Sequence, residues 1–229
     1  MAHLNDDRLY FRQLLSGIDF ATDDPIAVQM VNFVYAIGDR QTGECLVVDP
    51  AYDPAGLIEA VGADGMTITG VLATHYHADH IGGSVFGFEI AGIAELLNHV
   101  SCPIHTQADE IPWIERTTGV SDLIGHASGD IVTVGTIDIR LVHTPGHTPG
   151  SQCFFVDDKL VAGDTLFLDG CGRTDLPGAD PDQMVESLRR LSTVDDEVIL
   201  YPGHRYSPAG HAPMGEVKRS NAVFAALGS

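Results

Sequence analysis

Short apolar runs separated by turn-forming residues dominate the first third of the chain. Positions 30–37 and 45–48 are rich in Val, Phe and Tyr, and the polar, glycine-containing stretch between them predicts a hairpin with a long turn. Positions 54–61 have the apolar spacing of a helix, and the run over 66–72 predicts a further strand. The predicted order is therefore strand, strand, helix, strand, and the last strand leads directly into a cluster of histidines.

Strands and helices continue to alternate over the rest of the chain. Helical spacing predicts helices over 90–100, 111–117 and 181–191, the last with Asp180 as its N-cap. Strands are predicted near Ile104, twice within 130–142, and over 152–156, 160–162 and 198–200. Residues from about 217 to 227 predict one amphipathic C-terminal helix. Two groups of strands, each followed by helices, predict two sheets packed face to face with helices outside.

Composition and charge restrict the class of protein. With 229 residues and 44% hydrophobic content, the chain predicts a single domain over 1–229. Its 12 basic and 32 acidic residues give a net charge of −20, which argues against nucleic acid and anionic membrane surfaces as partners. Residues 1–7 are acidic and do not resemble a signal peptide, and the four cysteines form no C-x-x-C pair. A cytoplasmic protein with reduced thiols is expected.

The histidine cluster follows the strand predicted over 66–72 and has the pattern H-x-H-x-D-H. Residues two apart share a face at the end of a strand, so His75 and His77 can bind the same ion. Asp79 and His80 fall on the turn that follows, which two glycines help to close. Imidazole and carboxylate together suit zinc, iron or manganese better than calcium or magnesium. The pattern therefore predicts a metal site.

Three more residues occur in the same context, each after a strand and a glycine-containing turn. They are His147, Asp164 and His204. Together with the first four they make seven candidate ligands, a number that suits two ions better than one zinc ion.

In this order the seven residues resemble the metallo-β-lactamase superfamily, and its glyoxalase II-like branch in particular, over roughly residues 30–206. The resemblance implies an α/β (α+β) fold, a four-layer αββα sandwich with the metal site at one edge. It implies that one ion is held by His75, His77 and His147 and the other by Asp79, His80 and His204. Asp164 would bridge the two ions. Asp49 would support a ligand histidine by contacting the ring nitrogen that does not bind metal. Asp79 and Asp164 are the expected catalytic carboxylates.

The resemblance also implies a metal-dependent hydrolase. Two divalent ions are expected, zinc first, with iron or manganese as alternatives. Water shared between them would ionise near neutral pH, far below the pKa of about 15.7 of free water, and the hydroxide would attack a small thioester, ester or lactone. β-Lactam hydrolysis is not expected, because the best-known enzymes of that activity do not usually have an aspartate at the position matching Asp164.

Two departures from glyoxalase II keep a second activity open. Glyoxalase II has a long C-terminal helical region that helps to bind glutathione, whereas 25 residues follow His204 here. The loop over 170–175, Gly-Cys-Gly-Arg-Thr-Asp, resembles persulfide dioxygenases instead. Those enzymes bind a single iron, which would correspond here to His75, His147 and Asp164, and they act on glutathione persulfide or a similar small persulfide.

Substrate contacts are less constrained by the sequence. Arg173 either binds a substrate carboxylate or pairs with a neighbouring aspartate. Tyr206 is a candidate hydrogen-bond donor to the substrate, and packing is the expected role of Cys171. The chain is longer than usual around 88–104, and an insertion there could cover the metal cavity. The expected partner is a small thioester or thiol-derived molecule, and a homodimer is left open.

Overall fold

The computed structural model describes residues 8–85 and 87–227. In chain order its elements are β1 (Leu9–Leu15), α1 (Pro25–Met30), β2 (Phe33–Asp39), β3 (Glu44–Val48), α2 (Pro54–Gly62), β4 (Thr67–Leu72), α3 (Ala78–Ile81), β5 (Gly83–Val85), β6 (Phe88–Ile90), α4 (Ile93–Leu96), β7 (Ile104–Gln107), a 3₁₀ turn (Ala108–Glu110), α5 (Ile111–Thr118), β8 (Ile124–His126), β9 (Ile131–Val134), β10 (Ile137–His143), β11 (Gln152–Val156), β12 (Lys159–Gly163), α6 (Pro181–Ser192), β13 (Ile199–Pro202), β14 (Ala212–Pro213), α7 (Met214–Ser220) and α8 (Ala222–Leu227).

Most strands belong to two six-stranded sheets. The first has the order β1-β2-β3-β4-β7-β8 and the second the order β14-β13-β12-β11-β10-β9, while β5 and β6 form a small separate hairpin. The pairs β3–β4, β4–β7, β7–β8 and β12–β13 are parallel, and the other pairs are antiparallel. The strands β4, β10, β12 and β13 all end at the same edge of the two sheets.

Three apolar layers hold the sheets and helices together. Between the sheets, Val48 and Leu72 of the first pack in one core with Leu141 and Phe154 of the second. The outer face of the first sheet packs on α4 and α5 through a core that includes Ile114. The outer face of the second sheet is covered by α6 and α7. The predicted four-layer αββα sandwich is therefore confirmed.

Several elements differ from the sequence prediction. The helix predicted over 217–227 is two helices, α7 and α8, because Asn221 between them is extended and its buried side chain binds the backbone of Phe167 and Gly170. The helix predicted over 90–100 extends only over α4. Its start is fixed by the side chain of Glu95, which accepts a hydrogen bond from the backbone N–H of Gly92. Strand β1 and helix α1 were not predicted.

The segment 88–104 does not cover the metal cavity. Within the part of the chain that the structure describes, no residue of this segment lines the cavity that contains the candidate ligands. Phe88 and Glu89 instead border a separate groove beside α1 and α2. The N-terminal stretch 1–7, assessed above for a signal peptide, lies outside the described residues. Over residues 8–85 and 87–227, no helix has the length and apolar character to span a membrane.

Candidate metal centre

All seven predicted ligands meet where β4, β10, β12 and β13 end. Two groups of three have their ligand atoms within 4.8 Å of one another: His75, His77 and His147 form the first group, and Asp79, His80 and His204 form the second. His75 and His77 lie in the loop after β4, and Asp79 and His80 lie on α3, a single helical turn that begins directly after His77. The structure thus brings distant loops to one point, as the motif predicts.

Asp164 lies between the two groups. Its Oδ2 is 3.7 Å from Nε2 of His147 and 3.3 Å from Nε2 of His204, and its Oδ1 is 3.4 Å from Nε2 of His80. One carboxylate therefore reaches both groups, which is the geometry that a bridging ligand needs.

The histidine rings are fixed from behind. In four of the rings, Nδ1 lies 2.8–2.9 Å from an oxygen of another residue. These oxygens are Thr74 Oγ1 for His75, Asp49 Oδ2 for His80, the Arg173 carbonyl for His147 and the Met30 carbonyl for His204. Each contact assigns the proton to Nδ1 and leaves the Nε2 lone pair for the centre. His77 is turned the other way, because its Nδ1 lies 2.9 Å from Nε2 of His147.

Asp49 makes the contacts expected of a supporting carboxylate. Besides His80, it accepts hydrogen bonds from the backbone N–H and the hydroxyl of Thr74, at 2.8 and 2.6 Å. Asp49 also groups with His75 and His80 by distance alone. Because its oxygens already interact with Thr74 and with Nδ1 of His80, its contacts are those of a supporting residue and not those of a metal ligand.

Two buried atoms at the centre lack a hydrogen-bond partner among the described residues: Nε2 of His75 and Oδ1 of Asp164. Buried polar atoms are normally paired, because leaving them unpaired is costly. Both are good ligands for a divalent transition metal, so the donor set and the unpaired atoms together fit divalent metal ions.

The electrostatics of His75 and Asp164 favour the forms that bind metal. Burial, reinforced by His80 and His77, holds the pKa of His75 well below its usual value, so the ring stays neutral. Burial would raise the pKa of Asp164, but His204 and His80 outweigh it, and the carboxyl pKa is well below its ordinary value. Neutral imidazole and ionised carboxylate are the ligand forms of these side chains. For His80 and His204 burial would lower the pKa, but the nearby carboxylates, Asp164 first, outweigh it and raise the pKa of both rings, so a metal ion would displace a proton from each.

Asn32 is a site residue that the sequence pattern did not reveal. Its side-chain amide is buried, donates to Oδ2 of Asp79 at 3.1 Å, and lies 3.3 Å from Nε2 of His80. The hydroxyl of Tyr52 donates to its carbonyl oxygen at 2.9 Å. In the sequence Asn32 stands alone before an apolar strand, and no nearby residue forms a motif with it. Only the tertiary structure shows that it lies beside the second ligand group.

Two glycines allow the backbone to approach the ligands. A Cβ on Gly203 would lie 2.2 Å from Oδ1 of Asp164, so a side chain there would displace the carboxylate. A Cβ on Gly172 would lie 2.8 Å from the ring of His147. Gly172 therefore packs the 170–175 loop directly against His147, and the carbonyl of the next residue holds Nδ1 of that ring.

A cavity of about 610 Å³ opens above the ligands. Its lining residues include Tyr76, Phe167, Asp169, Cys171, Arg173, Leu176, Pro177 and Tyr206. Tyr206 stacks on His204 with ring centroids 4.7 Å apart and is 59% exposed. The Arg173 guanidinium pairs with Asp175 through two contacts of 2.9 Å. Burial raises the pKa of Cys171, so its thiol is not activated.

A sequence profile of the metallo-beta-lactamase superfamily matches residues 29–204, from the end of α1 to the last candidate ligand. The chain belongs to this superfamily. Among the relatives of this metallo-beta-lactamase superfamily member, the hydroxyacylglutathione hydrolase of Rhodopseudomonas palustris (strain BisA53) is 39% identical over 183 residues. The match covers 78% of this chain and 64% of that enzyme, so the chain spans a little less than two thirds of the relative's length.

Solved structures with the same fold include two with more than a quarter of their residues identical. ETHE1 from Myxococcus xanthus has a TM-score of 0.75 and 28% identity, covering 94% of this chain and 85% of that one. TTHA1623, solved in a di-iron-bound form, has a TM-score of 0.68 and 26% identity, covering 84% and 94%. The similarity therefore extends over nearly the whole chain.

Proposed function

We propose that this protein is a glyoxalase II-like hydrolase that cleaves a small thioester, or a related ester or lactone, at a centre of two divalent metal ions. The observation that carries the proposal is the position of Asp164 between the two groups of three ligands. The hydroxyacylglutathione hydrolase of Rhodopseudomonas palustris supports the thioester, because its name describes hydrolysis of an acylated glutathione.

The first ion would be held by His75, His77 and His147 and the second by Asp79, His80 and His204, with Asp164 bridging. When bound, such ions supply Lewis acidity, which brings the pKa of water near neutrality and polarises a carbonyl oxygen.

Asp79 and Asp164 are the catalytic carboxylates of the proposal, because both face the cavity. Oδ2 of Asp79 lies 3.6 Å from Nε2 of His80 and 3.4 Å from Nε2 of His204, so it would bind the second ion while it keeps the hydrogen bond from Asn32. Within the described residues no hydrogen bond involves Oδ1, which could accept the proton of the attacking water. Attack on the thioester forms a carbon–oxygen bond and breaks the carbon–sulfur bond. The released thiolate then takes up a proton.

The cavity walls favour a substrate with an apolar part next to the reacting carbonyl. Phe167, Leu176 and Pro177 offer apolar surface, and covering it with substrate would exclude water from the centre. Tyr206, stacked on His204, can donate a hydrogen bond to a polar group of the substrate. Arg173, at the same cavity, can bind a carboxylate once its pairing with Asp175 is exchanged.

Metal content and thioester turnover, measured on the same preparation, test the proposal. Protein purified without added metal should contain close to two divalent ions per chain. It should release free thiol from S-lactoylglutathione or from simpler acyl thioesters. Chelation should abolish turnover and zinc should restore it. One tightly bound iron with no thioester hydrolysis would contradict the proposal.

A second candidate is a mononuclear iron persulfide dioxygenase. It is favoured by the contact between the 170–175 loop and His147, because the loop that resembles those enzymes holds one of the three residues expected to bind the iron. Oxygen uptake with glutathione persulfide, measured on iron-loaded protein, distinguishes the two activities. No uptake would exclude this alternative.

The proposal also includes the identity of the metal, zinc, and the location of the protein, the cytoplasm. Histidine-rich ligand sets with a bridging carboxylate suit zinc, although the same donors accept iron or manganese. All four cysteines are free, as expected in a reducing compartment. Metal analysis of protein from cells grown without metal supplements would test the first point, and fractionation of the native host would test the second.

A further inference from the structure

Glu110 is a fully buried carboxylate that lies outside both ligand groups. It ends the 3₁₀ turn between β7 and α5, and its exposed fraction is 0%. Oε1 accepts a hydrogen bond of 2.7 Å from the backbone N–H of Tyr76, and Oε2 accepts one of 2.6 Å from the backbone N–H of Gly150. Burial raises the pKa of the Glu110 carboxyl to about 7, and the two short hydrogen bonds from backbone N–H groups offset part of the cost of burying its charge.

The two donors belong to the two loops that supply the first ligand group. Tyr76 is the residue between His75 and His77. Gly150 ends the turn that begins at His147, and the backbone of this turn lies so close to Glu110 that a Cβ on Gly150 would be 2.6 Å from Oε2. A single carboxylate therefore connects the first loop, which follows β4, to the second, which follows β10.

The side chain of Tyr76, in the His75–His77 loop, makes two further contacts that hold this loop in place. Trp113, one turn along α5 from Glu110, stacks on the ring of Tyr76 with centroids 4.9 Å apart and an angle of 25°. The hydroxyl of Tyr76 donates to the carbonyl of Pro177 at 2.8 Å. The residue between the two ligand histidines is thus held at its backbone by Glu110, at its ring by Trp113 and at its hydroxyl by the far wall of the cavity.

We propose that Glu110 is a positioning residue, which sets the separation between the His75–His77 loop and the His147 loop and so tunes the affinity of the first metal site. Glu110 does not contact the substrate or the ions. The inference rests on the proposed metal centre and not on the identity of the substrate.

The substitution Glu110→Gln tests this role with little change in shape. The amide keeps one oxygen acceptor but turns an N–H₂ group towards one of the two backbone N–H donors, so one loop loses its hydrogen bond. We expect the zinc affinity of the first site to fall 10- to 100-fold, as is typical when a partner that orients metal ligands is removed. The affinity of the second site, built on Asp79, His80 and His204, should change by less than about threefold.

The control is Glu95→Gln, the same substitution at an exposed residue of α4. Glu95 also accepts a hydrogen bond from a backbone N–H, that of Gly92, at 2.7 Å, but its side chain bonds to neither of the two loops. Zinc affinities are measured for both variants by competition with a chromophoric chelator, and thermal unfolding is followed for the metal-free and the zinc-loaded protein. The control should keep both wild-type affinities.

A double-mutant cycle with His147→Ala separates positioning from general stabilisation. Because His147→Ala disables the first site, adding Glu110→Gln to it should cause no further loss of zinc affinity. The proposal is overturned if Glu110→Gln weakens both sites equally, leaves both unchanged, or lowers the unfolding temperature of the metal-free protein while the zinc-induced increase stays that of the wild type. Failure of the wild-type protein to bind zinc would instead contradict the proposed function.

Discussion

Oδ2 of Asp49 lies 2.9 Å from Nδ1 of His80, and both side chains are buried. Asp49 directly follows β3, and its φ of 55° is in the left-handed region, which is uncommon for a residue other than glycine but tolerated by Asp and Asn. The conformation directs its carboxylate towards α3 and towards Thr74 at the end of β4. A residue that directly follows β3 therefore orients His80, a candidate ligand on α3.

Asp49→Asn should weaken metal binding without unfolding the protein. The amide can still accept the N–H of Thr74, but it turns an N–H₂ group towards Nδ1 of His80 and so disfavours the tautomer that leaves Nε2 free. We expect a 10- to 100-fold loss of zinc affinity, centred on the second site, in a chelator competition. Asp53→Asn, which alters a helix cap away from the centre, is the control. Unchanged zinc affinity in Asp49→Asn would show that the contact does not orient His80.

Asp164→Ala should have the largest effect of any single substitution at the centre. Removing the carboxylate takes the proposed bridging residue from both groups, and its oxygens then no longer lie beside Nε2 of His80, His147 and His204. Metal analysis should find at most one ion per chain, and thioester turnover should fall by roughly 100- to 1,000-fold, as when other key charge-stabilising groups are removed.

The control for this substitution is Asp169→Asn, which removes a carboxylate from the same cavity. Asp169 is not one of the seven ligands, so this variant should keep its metal and most of its activity. Full activity in Asp164→Ala would contradict both proposed activities.

The meeting of the seven candidate ligands at one point could be predicted because each of them follows the end of a strand, and because four of them occur within six residues. This pattern is local, so it can be recognised in the sequence without knowledge of the tertiary structure. The four-layer fold could be predicted for a similar reason, since period-two and helical spacing alternate in two blocks along the sequence.

Asn32 and Glu110 could not be predicted, because each is a lone polar residue whose partners lie 20 to 172 positions away in the chain. The break at Asn221 was missed for a related reason. Helical spacing continues through it, and only its contacts with the backbone of Phe167 and Gly170 show why the helix stops. At all three positions the conformation and the contacts depend on residues that are distant in the sequence, which sequence spacing alone does not show.

Arg173→Gln should raise KM for an anionic thioester about tenfold and leave kcat nearly unchanged. Arg173 and Asp175 form a surface ion pair whose side chains are 66% and 69% exposed, and such pairs contribute little to stability. The guanidinium can therefore exchange its partner for a substrate carboxylate at small cost. Steady-state kinetics with S-lactoylglutathione give both constants.

Asp175→Asn provides the complementary variant for Arg173. It leaves the guanidinium unpaired, so KM for the same anionic substrate should fall, and KM for an uncharged acyl thioester should stay constant in both variants. A loss of thermal stability in Arg173→Gln with no change in KM would instead assign the residue to holding the 170–175 loop.

Asp39→Asn should make the stability of the protein less dependent on pH below pH 4. Asp39 is buried at the end of β2 and accepts hydrogen bonds from the side chain of Arg8, the backbone of Gln41, and the backbone and hydroxyl of Thr136, which lies in the turn between β9 and β10. It therefore links the two sheets. The Arg8 guanidinium, helped by these donors, holds the pKa of the Asp39 carboxyl well below its ordinary value.

The sign of the effect follows from proton linkage. Because the folded pKa is lower than the unfolded value of about 3.9, the unfolded chain binds more protons in this range. The stabilisation from Asp39 is fully present above the unfolded pKa and is lost as the pH falls towards the folded pKa. Urea midpoints of the metal-free wild type and Asp39→Asn should differ most at pH 7 and converge towards pH 2. Asp196→Asn, which breaks an exposed pair with Lys218, should show a much smaller difference at pH 7. A difference between wild type and Asp39→Asn that stays constant from pH 7 to pH 2 would mean that the carboxylate charge does not stabilise the contact between the sheets.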